Sequence, residues 1–279
     1  MTTPQPGIFA LGTASHAYLE LDGVTGRAAA DVVAAVAGLR EPRTTMGGVN
    51  LVAGFRPELW AEVVPDDRPV GVHAFEDLVG VDGFVMPATQ HDAVLWLSGS
   101  AYDIIFDLAR KAIAELRDVA TVAEETSSWP YLHDRDLTGF IDGTENPSLI
   151  DAPEFAVIPE NEPGGGGSVL LLQKWEHDVT MWEALSAAEQ EHVMGRLKPD
   201  STEIQDKWDE SHVARTDQDR FGKVFRRNMP YGTVTKHGTM FVGFSADQKR
   251  LSDMLESMTG LVDGMRDALT RYTRPLTGA

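Results

Sequence analysis

Two stretches about 145 residues apart carry the same order: Val94-Leu95-Trp96-Leu97-Ser98-Gly99-Ser100-Ala101 and Thr239-Met240-Phe241-Val242-Gly243-Phe244-Ser245-Ala246. Each is an apolar strand that passes through a Ser-Ala dipeptide into an amphipathic helical sequence. The preceding pair also recurs. In the N-terminal half, residues 15–21 read as a strand and 27–39, rich in Ala and Val, as a helix; in the C-terminal half, 168–175 and 180–196 follow the same order. Ser100 is placed to cap a helix over 102–116, where Ile104, Ile105, Leu108, Ala112, Ile113 and Leu116 form one apolar stripe, and 119–123 returns as a strand. The pattern predicts an α+β fold of two βαββαβ, ferredoxin-like halves, with antiparallel sheets and peripheral helices. The boundary is expected near 124–130, giving an N-terminal half over 1–125 and a C-terminal half over 126–279.

The chain has 279 residues, 42% of them hydrophobic, enough to bury a full core. Its formal charge of −19 repels polyanions, so nucleic acid and anionic membrane surfaces are not expected partners. Cysteine is absent, which removes disulfides, thiolate metal sites, cysteine nucleophiles and covalent haem attachment together. Residues 1–12 show neither a basic segment leading an apolar run nor a twin-arginine pair, and no apolar run reaches the roughly 18 residues that span a bilayer. A cytoplasmic protein is expected.

Gly139-Phe140-Ile141-Asp142-Gly143-Thr144-Glu145-Asn146-Pro147 is a shaped loop that presents a carboxylate, because glycine permits unusual backbone angles and Pro147 stops a helix. Read alone, Asp142 is a turn cap or, with Glu145, a cation ligand. Pro163 with the four glycines 164–167 reads as a flexible surface loop, since it lacks the Lys-Ser/Thr of a phosphate-binding loop. Of the eight histidines, none shows HExxH spacing. A zinc site has no sequence support, whereas one histidine suffices to hold a haem iron.

His212 lies in Ser211-His212-Val213-Ala214-Arg215, and Phe225-Arg226-Arg227-Asn228-Met229-Pro230-Tyr231-Gly232 follows. With the GFIDGTENP loop, these motifs closely resemble the dye-decolourising peroxidases, most like their compact bacterial B-type members. The resemblance covers nearly the whole chain. It implies a dimeric α+β barrel-like pair of ferredoxin-like halves, with haem b held mainly by the C-terminal half and His212 as the proximal iron ligand. Asp142, Arg226 and Asn228 would be the catalytic residues around hydrogen peroxide, cleaving it heterolytically to a ferryl state. Asp142, Gly143, Thr144, Glu145 and Arg226 would contact the haem beside His212. Dyes, phenolic compounds or Mn²⁺ would then be oxidised by one-electron steps. Asp247 is a candidate carboxylate partner for His212. The resemblance also implies a homo-oligomer. Encapsulin packaging is not expected, because the chain ends directly after 274–279.

Residue type does not decide whether Asp142 or Arg226 dominates peroxide cleavage, nor which of Arg226 and Arg227 faces peroxide; alternation and family spacing favour Arg226. The six tryptophans read as packing residues before they read as electron relays. Two further functional classes stand beside the peroxidase, a non-enzymatic haem carrier and a haem-free acidic scaffold. The Asp-Arg-Asn set argues against the carrier.

Overall fold

The structure is a computed structural model that describes residues 3–40, 48–132 and 134–279. It contains two compact units. The first comprises Met1–Ala74, Gln90–Trp129 and Val157–Ser168; the second comprises Phe75–Thr89, Pro130–Ala156 and Val169–Ala279.

In the first unit the chain runs β1 (Ser15–Gly23), α1 (Ala29–Gly38), β2 (Val49–Phe55), α2 (Pro57–Val63), β3 (Ala93–Gly99), α3 (Tyr102–Leu116) and β4 (Ala120–Ser128). The strands are antiparallel in the order β4-β1-β3-β2, with Leu19 opposite Leu95 and Ala17 opposite Leu97. This is the ferredoxin-like order that the strand–helix pattern predicts. Ala17, Leu19 and Leu21 share one face of β1 and pack with Ile105, Ala109, Ala112 and Leu116 of α3. The opposite face of β1 is buried as well. There His16, Tyr18 and Trp96 stack, and the Trp96 indole N–H donates to His16 Nδ1 at 3.1 Å. Contrary to the expectation above, Ser100 does not cap α3; the N-cap is Ala101, in extended conformation and without a side-chain bond. The closing strand also runs to Ser128, well past the expected 119–123.

The second unit holds β5 (Val169–His177), α4 (Ala187–Met194), α5 (His212–Arg215), β6 (Phe225–Arg226), β7 (Met229–Gly232), β8 (His237–Ser245), α6 (Gln248–Met258) and β9 (Thr273–Pro275). Its strands pair antiparallel as β9-β5-β8-β7, and β6 adds a short ladder to β8. Leu251, Met254, Leu255 and Met258 recur at helical spacing along α6 and pack with Leu171, Trp175 and Val224. The expected helix over 180–196 is broken. Val179–Glu183 ends first, Ser186 turns extended, and α4 begins behind a capping box in which Ser186 and Glu189 bond each other's backbone N–H.

The 163–167 loop is a tied turn of the first unit. The Gly164 N–H donates to Asp67 Oδ1 at 2.6 Å, and Gly164 and Gly166 take φ of 79° and 84°, a region that favours glycine. Among the described residues no helix is long and apolar enough to cross a membrane.

Candidate active site

The 139–147 loop is fixed from three sides. Gly139 and Gly143 sit at φ of 94° and 74°, which turns the chain sharply around Asp142. The Asp142 N–H donates to the Asp134 carbonyl at 2.7 Å, and the Ile141 N–H donates to Ser201 Oγ at 2.9 Å. Arg135 spreads its guanidinium over the carbonyls of Gly139, Lys198 and Pro199 at 2.7–2.9 Å. A loop satisfied this way holds its carboxylate in one place.

Asn146 joins this loop to β6. Its Nδ2 donates to the Arg226 carbonyl at 2.8 Å, and its Oδ1 accepts the Arg226 N–H at 2.9 Å. One side-chain amide thus satisfies both backbone groups of the residue, as a neighbouring strand would. Successive residues of a strand point to opposite sides, and only one of the two arginines lines the cavity described below: Arg226, while Arg227 is buried elsewhere. Asn228 Oδ1 accepts the Val242 N–H at 3.0 Å, which leaves its Nδ2 to donate to Asp142 Oδ1 at 3.2 Å. Backbone bonding therefore fixes the orientation of the amide.

His212 opens the single turn α5. Its N-cap Ser211, fully buried, accepts the Ala214 N–H through its hydroxyl. His212 Nδ1 lies 2.7 Å from Oδ2 of the buried Asp267. Asp267 Oδ1 accepts the Leu269 N–H at 2.9 Å, so the carboxylate is held from behind. An Nδ1–H that donates to Asp267 leaves Nε2 as the lone-pair nitrogen of the ring. The expectation that Asp247 fills this role is overturned: Asp247 is the N-cap of α6 and accepts the Lys249 N–H at 2.9 Å.

Asp142, Gly143, Thr144, Glu145, His212, Arg226 and Asn228 all line one cavity of the second unit. Leu171, Met194, Phe241, Leu251, Met254 and Leu269 give it apolar walls. Burial pushes the Asp142 carboxyl up from its ordinary range, and the neighbouring Asp136 adds to this against the pull of Arg226. Asp136 lines the same cavity, and burial raises it too, although Thr138 hydrogen-bonds its carboxylate. Arg226 Nε is buried without a hydrogen-bond partner. Glu145 does not pair with Asp142 around a cation. It bonds Arg196, whose guanidinium also reaches Glu203 at 3.5 Å, and among the described residues no cluster of His, Asp and Glu could hold a metal ion.

His177, unremarked in the sequence, also lines the cavity. The Thr273 hydroxyl donates to the Glu176 carbonyl and accepts from His177 Nδ1 at 2.9 Å, while Thr239 Oγ1 lies 3.2 Å from Nε2. Burial, with the nearby His237 adding to it, pushes this imidazole down from 6.5 to about 4. No local motif marks it, because both threonines come from other strands.

An α+β chain whose buried cavity joins one carboxylate-oriented imidazole to an Asp-Arg-Asn cluster has the make-up of a cofactor-dependent enzyme. The family models describe it further: "Dyp-type peroxidase, C-terminal" matches residues 133–279 and "Dyp-type peroxidase, N-terminal" matches 24–129. The chain is 33% identical to a dye-decolorizing peroxidase of Mycobacterium tuberculosis over 99% of its own length and 86% of the relative's. Among solved structures, a DypB variant from Rhodococcus jostii RHA1 in complex with heme is 30% identical, with a TM-score of 0.90 over 99% of this chain and 94% of that one. The encapsulated DyP-type peroxidase of Mycobacterium smegmatis is also 30% identical, with a TM-score of 0.86 over 100% and 94%. This chain belongs to the Dyp-type peroxidase family. It is a haem-dependent peroxidase. The cavity suits haem, since it offers an imidazole lone pair, apolar walls and a buried guanidinium with an unpartnered nitrogen.

Two outcomes follow from the geometry. Asn146→Ala leaves both Arg226 backbone groups without partners and should cost about 2 kcal/mol in denaturant unfolding. His177 carries the second. An unfolded imidazole takes up its proton near 6.5 and the folded one only near 4, so between these values the unfolded chain holds more protons and stability falls as pH falls. Unfolding free energies measured across that window should slope less steeply in His177→Gln than in the parent protein.

Proposed function

We propose that the cavity of the 126–279 half serves the reduction of hydrogen peroxide, and that His212 is the residue that would ligate the iron of a bound haem. Asp142, Arg226 and Asn228 are the groups that act on peroxide, and Gly143, Thr144 and Glu145 contribute to the wall around the haem. Bound haem supplies the iron at which peroxide is cleaved and the redox equivalents passed to donors. Every proton is handled by the chain. Asp142 removes a proton from one peroxide oxygen and returns it to the other, so that the departing oxygen leaves as water. Positioned acid–base catalysis of this kind is worth about 10²–10⁴-fold. Asn228 holds Asp142 Oδ1, which leaves Oδ2 to carry the proton. The Arg226 guanidinium stabilises the negative charge that develops as the O–O bond stretches. Asp267 keeps the His212 proton on Nδ1 and strengthens Nε2 as a ligand.

The observation that supports this reading most is the Asn228 amide: pinned by the Val242 N–H, it has no choice but to donate toward Asp142, in the cavity that His212 and Arg226 also line. Dyes and phenolic compounds are the donors we assign. Manganese(II) is less well supported, because Arg196 already sits on the carboxylates of Glu145 and Glu203.

Stopped-flow absorbance of haem-loaded protein mixed with stoichiometric peroxide tests the assignment. Arg226→Leu should slow the peroxide-induced change about 10²–10³-fold. His212→Ala should shift the Soret band before peroxide is added. Because burial raises Asp142, the parent rate should climb with pH at values above the ordinary carboxylate range, as Asp142 loses its proton and becomes a base. Asp142→Asn should lack that rise. The same pH profile in both proteins would remove Asp142 from the reaction.

A further inference from the structure

One hydrogen peroxide, two electrons and two protons give two waters. The shuttle at Asp142 moves a proton between the two peroxide oxygens and adds none. Once it has done so Asp142 is again ionised, so the protons that complete the second water must come from another acid.

Six acidic side chains line the cavity, and five of them are otherwise engaged. Asp142 is the shuttle. Arg196 reaches the carboxylates of Glu145 and Glu203, Asp217 accepts the Asp219 N–H at 2.8 Å as the cap of the next turn, and Asp219 is exposed. His177 lines the cavity as well, but it is neutral down to about 4 and its Nδ1–H is bonded to Thr273. Asp136 is left.

The turn ahead of the 139–147 loop holds Asp136 in place. Its N–H donates to the Phe140 carbonyl at 2.9 Å, and its own carbonyl accepts the Gly139 N–H at 3.1 Å. The Thr138 N–H, at 2.9 Å, and the Thr138 hydroxyl both donate to Oδ1, which leaves Oδ2 to carry a proton. Burial acts most strongly on this carboxyl and raises it, while the Thr138 bonds and His212 pull the other way. A His212 that ligates iron is neutral and no longer exerts that pull. At Asp142 burial also leads, but Arg226 heads the groups that oppose it. Two carboxyls in one poorly hydrated cavity resist joint ionisation. The guanidinium makes Asp142 the member that ionises, and Asp136 the member that keeps its proton.

We propose that Asp136 is the cavity's proton-supplying acid, which passes protons to ionised Asp142 while donors deliver electrons. The inference rests on the peroxidase reading. In each one-electron step the Asp136 O–H bond breaks, a proton moves to Asp142 and on to the remaining oxygen, and Asp136 takes a new proton from solvent. Two such steps, with two electrons from donors, release the second water.

Double-mixing stopped-flow tests this in haem-loaded full-length protein. One equivalent of peroxide is mixed in first, then a ferrocene bearing a quaternary ammonium group, which brings an electron and no proton. Asp136→Asn keeps the acceptor for the Thr138 N–H and nearly the same volume, but removes the acid. Return of the resting absorbance should slow about tenfold or more in this variant, and the initial peroxide-induced change by no more than about threefold. The ratio of return rates in ordinary and heavy water should be larger in Asp136→Asn than in the parent. Asp136→Ala should be as slow, and added formate should restore part of its rate without speeding the parent, a rescue that turn-capping alone does not allow. Infrared difference spectra of the haem-loaded parent against Asp136→Asn, above the ordinary carboxylate range of pH, should show the carbonyl stretch of a protonated acid in the parent alone. A return rate in Asp136→Asn equal to the parent's overturns the proposal. So does an absent acid carbonyl, or an Asp136→Ala variant that formate does not speed. A parent protein whose absorbance does not respond to peroxide sinks the peroxidase reading itself. A normal response with parent-like return in Asp136→Asn sinks only the role of Asp136.

Discussion

The active-site end of the cavity depends on one side chain that takes no part in chemistry. Asn146 bonds both the N–H and the carbonyl of Arg226, and so fastens the 139–147 loop to a two-residue strand 80 positions away. The connection closes on itself. Arg226 pairs with Gly243 on β8, the adjoining Val242 N–H orients Asn228, and Asn228 returns a hydrogen bond to Asp142 in the loop where the ring of contacts began. Every member is positioned by backbone bonds rather than by side-chain packing alone. Groups fixed in this way need little reorganisation when charge develops between them, which is the condition under which electrostatic stabilisation is strongest.

Burial sets the chemistry of that ring. Two carboxyls, Asp136 and Asp142, line one cavity with apolar walls, and loss of water favours the protonated form of each. Arg226 opposes this at Asp142 but does not outweigh it. A carboxylate whose pKa is raised above the ordinary range is the stronger base toward a weakly acidic partner such as peroxide, as positioned acid–base catalysis requires. At His212 the arrangement differs. Asp267 is itself buried, but its second oxygen accepts a backbone N–H, and its hydrogen bond to Nδ1 orients the imidazole.

Much of the fold was legible because it rests on local periodicity. The alternation in 15–21, the apolar run at 93–97 and the stripe along 102–116 depend on residues close in sequence, and each lies in the expected kind of element, the second strand running on to Gly99. The helix over 180–196 was misread where a local signal was present: Ser186-Ala187-Ala188-Glu189 is a capping box, and it starts a new helix. Asp247 was the wrong partner for His212 because pairing over 55 residues is decided by tertiary packing; Asp267 carries no mark beyond a helix-capping position. Glu145 likewise met Arg196, and His177 met two threonines, across distances that no motif spans. Composition and spacing alone gave a carboxylate loop and one isolated histidine. The haem and the division of roles came from resemblance to a family, to which the comparisons then assigned the chain.

The central claim is that Asp142 and Arg226 act as a unit on one peroxide, because Asn146 and Asn228 bind their two segments into a single frame. A double-mutant cycle on the rate of the peroxide-induced absorbance change tests this directly, with Asp142→Asn, Arg226→Leu and both together in haem-loaded protein. Groups that serve one event are not additive, so the double variant should be little slower than the slower single variant. Losses that multiply, as for independent sites, would contradict the account.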